Sequence, residues 1–231
     1  MTAVIPLRQG SPLGWSFHWG TALSRLSSRT AIQPPATPGR EDPTAAWTPL
    51  PPGPALLARE SCRWFTPEPV TLPDLATLLR SVRGAPSAGG LYPLEVSVIV
   101  RAVDGLPGGV HHYVPAADGL ELVRPQAPSA DTLTSIFLGQ RWVADAAAVL
   151  VLSARPAPTL AKYGDRGYRY LLLEAGHVAQ NLALAAVALG LGAVQLGGFL
   201  DDDLARLLRL ETEFEVPLYG TAVGHPALPP S

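Results

Sequence analysis

Arg59, Ser61 and Arg63 alternate along the run RESCR. In an extended chain, alternate side chains share one face. Two guanidiniums would then flank one hydroxyl, a set suited to gripping a phosphate; a solvated strand edge with scattered charges is the plainer alternative. Small residues make a second set. Residues 86–90, PSAGG, can bring backbone N–H groups near an anionic or ring ligand, and Gly197-Gly198 follows an apolar strand, so a ligand can approach that backbone closely. Lys162-Tyr163 places an amine beside a phenol, in a loop between a proline-rich turn and Gly164. Such a neighbour pair is ordinarily a surface pair, but this loop opens onto the most apolar helix of the chain, so the pair could face a site. Cys62, the one cysteine, lies in the same run as the arginines; a small packed residue is the default there, ahead of a reactive thiol. His111-His112 does not read as a metal site, because adjacent strand residues point to opposite faces.

The element that organises these sets is the stretch 163–199. Residues 168–189 are nearly all helix formers with apolar side chains all round, which predicts a helix buried in a core. Glu174, His177 and Asn181 interrupt that pattern at spacings of three and four, and so form one polar stripe. Gly190 and Gly192 end the helix, and residues 193–196 form a strand running into Gly197. Upstream, Thr71 is placed to cap a helix reaching about residue 82, with Pro73 and Asp74 in its first turn and Leu75, Leu78 and Leu79 inward. Residues 94–101, 110–114 and 120–123 read as an antiparallel meander, and 147–153 as a buried central strand. A helix is predicted over 131–138, another over 204–208 capped by Asp201, and a last strand over 217–224. Residues 17–26 suit a short helix, and 32–54, rich in proline, read as an extended arm. The division is an arm over 1–55 and one domain over 56–231. The order of elements predicts an α+β fold around a mostly antiparallel or mixed sheet.

The totals exclude several classes. A net charge of -2 without any basic run argues against nucleic acid. One cysteine excludes an intrachain disulfide and a thiolate metal cluster, and fits a reducing cytoplasm. The first 30 residues lack a charged segment leading into an apolar core, so no signal peptide is expected. Residues 178–200 carry no formal charge and are long enough for a membrane span, but four glycines, Gln180, Asn181 and Gln195 argue against one. Gly190-Leu191-Gly192 starts like a dinucleotide fingerprint, yet Gln195 stands at the third glycine. There is no phosphate-binding Walker loop and no serine nucleophile elbow.

Four signals in order are specific together: R-x-S-x-R at 59–63, PSAGGLYPLEV at 86–96, KYGDRGYRY at 162–170, and EAGHVAQNL…GLGAVQLGGF at 174–199. They resemble the nitroreductase-like flavoproteins, and within them the azoline oxidase branch, the McbC or SagB type of dehydrogenase, over about residues 59–226. The resemblance implies an α+β sandwich, a homodimer, and FMN at the subunit interface. It assigns the FMN phosphate and ribityl to Arg59, Ser61 and Arg63, and the flank of the flavin to Pro86, Ser87 and Gly89. Leu196, Gly197 and Gly198 would pass its reactive edge. Where the family usually has a further cation near the C-terminus, this chain has His225, in Val223-Gly224-His225-Pro226. Lys162 and Tyr163 match the Lys-Tyr pair of azoline oxidases, with Ala161 in place of the leucine that often precedes it. The implied reaction is aromatisation of a thiazoline or oxazoline in a ribosomally made peptide, with Lys162 as base and oxygen as final acceptor, beside a cyclodehydratase partner. An NAD(P)H-dependent nitroreductase or quinone reductase on the same scaffold, and a non-catalytic scaffold subunit, are the alternatives.

Overall fold

The computed structural model describes Phe17, His18, Thr21 and residues 59–229; the proline-rich arm lies outside the described residues. Five helices are described from residue 59 on: α1 (Leu72–Ser81), α2 (Ala130–Ile136), α3 (Ala157–Tyr163), α4 (Arg166–Ala188) and α5 (Asp201–Leu208). The strands are β1 (Val70–Thr71), β2 (Leu94–Val100), β3 (Val103–Asp104), β4 (Gly109–Val114), β5 (Gly119–Arg124), β6 (Ala148–Ala154), β7 (Gly192–Leu196) and β8 (Val216–Gly224). Six strands form one sheet in the order β5-β4-β2-β6-β8-β7. Every pairing in it is antiparallel, while β1 and β3 make a small parallel pair.

The sheet is the middle of three layers. β6, AVLVLSA, is buried along its whole length, which is why its apolar run is continuous rather than alternating. Leu150 and Leu152 point to one face, among α1 and α4 residues such as Leu78, Val178 and Leu182. Val149 and Val151 point to the other, with Phe137, Phe199 and Leu204. Each fully buried leucine contributes roughly 1.5–3 kcal/mol.

Local chemistry sets the helix starts. Thr71 Oγ1 accepts from the Asp74 N–H at 3.2 Å and donates to the Asp74 carboxylate at 2.6 Å, so the predicted cap of α1 is present. At α5 the cap is Leu200, not Asp201; no side-chain bond closes it, and Asp201, Asp202 and Asp203 fill the first turn, where carboxylates favour the positive end of the helix dipole. The predicted loop 155–165 holds a short helix, α3, so Lys162 and Tyr163 sit on its last turn. Pro156 and Pro158 permit this because proline is tolerated at a helix start. Gly164, φ 58, breaks it from α4.

The apolar run 178–200 is divided among α4, a turn at Gly190 and a strand bonded into the sheet. α4 is long and apolar enough to cross a membrane by length and composition, and its most apolar stretch is 44% buried inside the protein. The expectation of burial on all sides of α4 holds for one face only. Leu171, Ala175, Val178, Ala179 and Leu182 are buried, whereas Leu172 and Leu173 are 40% and 53% exposed. Of the predicted helix near residue 20, Phe17, His18 and Thr21 are helical. His18 is buried and its Nδ1 lies 2.6 Å from the Tyr168 hydroxyl; burial lowers the His18 pKa, against the pull of Asp202.

His111 and His112 part as the strand geometry requires. His111 Nε2 meets the Pro107 carbonyl at 2.9 Å, and His112 Nε2 meets Glu95 at 3.0 Å. The hydrogen bond to Glu95 raises the His112 pKa. A raised folded pKa means that the pair stabilises fully below the unfolded histidine value and loses that contribution as pH rises through the folded one. We expect about 0.5 kcal/mol from this half-exposed pair. Thermal melts should show His112→Gln costing more at pH near 5.5 than near 8.5; an equal cost at both would reject the assignment.

Candidate functional site

β7 carries one half of the candidate site. Ser61 bridges to Ala193 in parallel, and the Cys62 N–H donates to the Ala193 carbonyl at 3.0 Å. On its other side the same segment is held by the residues after β8: Thr66 N–H donates to the His225 carbonyl at 2.9 Å, and Ala227 N–H to the Trp64 carbonyl at 2.9 Å. Cys62 turns inward, so that a Cβ on Gly192 would fall 2.5 Å from its sulfur. Arg59, Ser61 and Arg63 are all exposed. Among the described residues neither guanidinium has a hydrogen-bond or ion-pair partner. The fold therefore brings Arg59, Ser61, Arg63 and His225 to the start of β7.

Gly197 and Gly198 lie at the other end of that strand, roughly 13 Å away at the rise of an extended chain. The two glycines differ. A Cβ on Gly197 would meet nothing closer than the Tyr219 ring at 3.5 Å, so the protein's own packing does not demand a glycine there. A Cβ on Gly198 would press on Leu138 at 3.3 Å, so packing alone accounts for part of its smallness. Gln140 Nε2 reaches the Phe137 carbonyl at 3.0 Å and the Gly198 carbonyl at 3.5 Å. No pattern in the sequence marked Gln140. Leu196 is buried and forms the wall behind Gly220.

The other half lies where β2 begins and β6 ends. Gly89 has φ 64, and a Cβ there would stand 2.5 Å from both Lys162 Nζ and Tyr163 Oη. The two side chains named from sequence thus converge on the small-residue loop, though more than 70 residues separate them along the chain. Tyr163 also packs edge-on against Tyr170, ring centroids 5.1 Å apart, and Lys162 Nζ is 5.4 Å from the Tyr163 ring centre. Pro86 is exposed and Ser87 half-buried. Ser87 Oγ donates to Glu174 Oε2 at 2.7 Å and accepts from the Tyr92 N–H at 2.9 Å. Burial pushes the Glu174 carboxyl pKa up, opposed by hydrogen bonds from Ser87 and the Ala88 backbone and by nearby His177. The stripe of Glu174, His177 and Asn181 is legible in the sequence, but the partner of Glu174 is not. Its mates diverge: Asn181 Nδ2 donates to the Ser81 carbonyl, and His177 is exposed.

The two halves stand at the same end of the sheet for Gly197 and Gly89, but not side by side. β8 and β6 come between β7 and β2, a lateral separation of roughly 14 Å at ordinary strand spacing.

The Nitroreductase family model matches residues 56–225. Protein MJ1384 of Methanocaldococcus jannaschii, whose name places it among nitroreductases, is 37% identical over 178 residues, 73% of this chain and 88% of its own length. The microcin B17-processing protein McbC of Escherichia coli is 31% identical over 145 residues, 59% of this chain and 52% of McbC. The solved microcin synthetase McbBCD complex, with truncated pro-MccB17 bound, contains a chain that superposes with a TM-score of 0.76 at 23% identity, covering 96% of this chain and 94% of that one. A crystal structure of an Anabaena variabilis protein, also named as a nitroreductase, gives a TM-score of 0.67 at 34% identity. It covers 74% of this chain, which spans only 37% of that one.

Proposed function

Because the chain belongs to the nitroreductase family of oxidoreductases, with an α+β fold built around an antiparallel sheet, we propose that it is an FMN-dependent dehydrogenase of thiazoline or oxazoline rings in a ribosomally made peptide. The observation that carries this reading is the convergence of Lys162 Nζ and Tyr163 Oη on Gly89. A reductase that only passes electrons from a nicotinamide to an acceptor needs no such base. Aromatising an azoline needs one, because a ring proton must leave as a hydride is taken. The likeness to McbC supports the same choice.

The residues fit FMN. Arg59 and Arg63, without a partner among the described residues, are two cations about a hydroxyl, the donor set for a phosphate. At Gly197, where a Cβ would come no nearer than ordinary contact with the Tyr219 ring, the bare backbone offers a flat ring a surface to lie against. FMN, when bound, supplies the two-electron acceptor. Arg59, Ser61, Arg63 and His225 would hold its phosphate end; Leu196, Gly197 and Gly198 would border its ring. Pro86, Ser87 and Gly89 would close over the ring from a second copy of the chain, since two strands separate them from β7 within one copy. Leu172 and Leu173 on α4 give that second copy an apolar surface to cover. Lys162 takes the ring proton, and Tyr163 orients the amine or shares the proton. A neutral lysine is required for this, which calls for desolvation or a cationic neighbour; Lys162 is exposed in one copy, so the cover comes from the assembled site and the peptide. The partners are then a second copy, the azoline peptide and a cyclodehydratase, in the cytoplasm.

The test is to incubate the FMN-loaded protein with an azoline peptide and oxygen and to follow the mass of the peptide. Loss of two hydrogens per ring is expected. A yellow, folded protein that leaves the rings untouched yet is bleached at once by NADPH would favour the second reading, a nicotinamide-dependent nitroreductase, for which the likeness to MJ1384 speaks.

A further inference from the structure

We propose that Glu174 is a positioning residue whose buried carboxylate, acting through the Ser87 hydroxyl, holds residues 87–92 in the shape that Lys162 and Tyr163 meet. Glu174 is only 5% exposed, in mid-helix on α4 beside buried Ala175 and Val178. A carboxylate there is costly unless it is hydrogen-bonded, and it is spent on a loop rather than on a cation. A hydroxyl has one proton to give. Ser87 gives it to Glu174, which leaves the oxygen lone pairs to accept the Tyr92 N–H.

Tyr92 shows why a brace is needed. Its φ is 46, a left-handed conformation that costs an L residue roughly 1–2 kcal/mol. The residue is 65% exposed, so its own packing does not impose that conformation. The Ser87 bond to its N–H closes the turn instead. Between the two fixed ends lies Gly89, where Lys162 Nζ and Tyr163 Oη both come within 2.5 Å of the place a Cβ would take. The line from Glu174 through Ser87 to Tyr92 therefore spans the contact on which the proposed base depends. The geometry stands alone; its catalytic consequence rests on the flavoenzyme reading above.

Three readouts test it: hydrogen exchange of residues 86–93 in the protein without flavin, FMN affinity from quenching of flavin fluorescence, and kcat against KM. Glu174→Leu should speed exchange across 86–93 while leaving the β6 amides protected. It should weaken FMN binding about tenfold, and lower kcat more than it raises KM. Glu174→Gln, which still offers a carbonyl oxygen to Ser87, should restore all three to near wild type. Adding Tyr92→Gly to Glu174→Leu should recover part of the loss, because glycine takes a positive φ unaided. If Glu174→Leu does not fold, Ser87→Ala breaks the same relay and should reproduce the loss. Wild-type exchange and kcat in a folded Glu174→Leu or Ser87→Ala protein would overturn the proposal, as would a Glu174→Gln variant as impaired as Glu174→Leu. Exchange and flavin binding need no azoline turnover, so a wild type inactive on azolines would sink the functional reading while these two readouts still decide the role of Glu174.

Discussion

Lys162→Ala should abolish azoline dehydrogenation while the protein stays yellow. A positioned general base accounts for roughly a 10²–10⁴-fold rate factor, and Lys162 is the only lysine in the sequence, so no other lysine amine can replace it. Flavin affinity should hardly change, because Arg59 and Arg63, proposed to hold the phosphate, lie with Ser61 at the far end of β7. Lys162→Arg separates charge from basicity: it keeps a cation beside Gly89 but cannot give up its proton under working conditions, so it should be as inactive as alanine. Tyr163→Phe removes the phenol proton and keeps the edge-on contact with Tyr170, and should cost less than either. The measurement is single-turnover bleaching of the bound flavin by an azoline peptide. A Lys162→Ala protein that keeps more than about a tenth of the wild-type rate would remove this lysine from the mechanism.

The second large effect is on the cofactor. On the proposed reading, Arg59→Ala and Arg63→Ala would each remove one charge-assisted hydrogen bond to the FMN phosphate, of about 1.5–3 kcal/mol. Both side chains are exposed, and solvent screening argues for the lower end of that range. We expect roughly tenfold weaker FMN binding for each variant and about a hundredfold for the pair. Riboflavin, which has the ring and ribityl without the phosphate, supplies the control. Wild type should prefer FMN strongly over riboflavin, and the double variant should lose that preference while its riboflavin affinity holds. An unchanged ratio of the two affinities would mean that the arginines do not face the phosphate. The same titrations at rising salt should show the preference of the wild type shrinking, as expected for solvent-exposed charges.

Much of this architecture follows from local pattern. The apolar run of β6, the Thr71 cap, the alternation of Arg59, Ser61 and Arg63, and the glycine stop after α4 each depend on neighbours within a few residues, so the amino-acid order alone settles them. The McbC-like motifs were legible for the same reason, being short and contiguous. Where local cues conflicted, the outcome waited on packing. The proline-rich run before Gly164 reads as a loop, but α3 forms because Leu160 finds a place beside Tyr168 and Leu171. The all-round apolar surface of α4 reads as full burial, but one chain has enough sheet to cover only one face.

What only the tertiary structure decided is who meets whom. Glu174 reaches Ser87 across 87 positions, Lys162 and Tyr163 reach Gly89, and the arginine segment is stitched between β7 and the residues after β8. These meetings depend on the strand order β5-β4-β2-β6-β8-β7. That order is a choice among many antiparallel pairings that would bury similar apolar faces, and it is made by the joint packing of both helical layers rather than by any one strand's sequence.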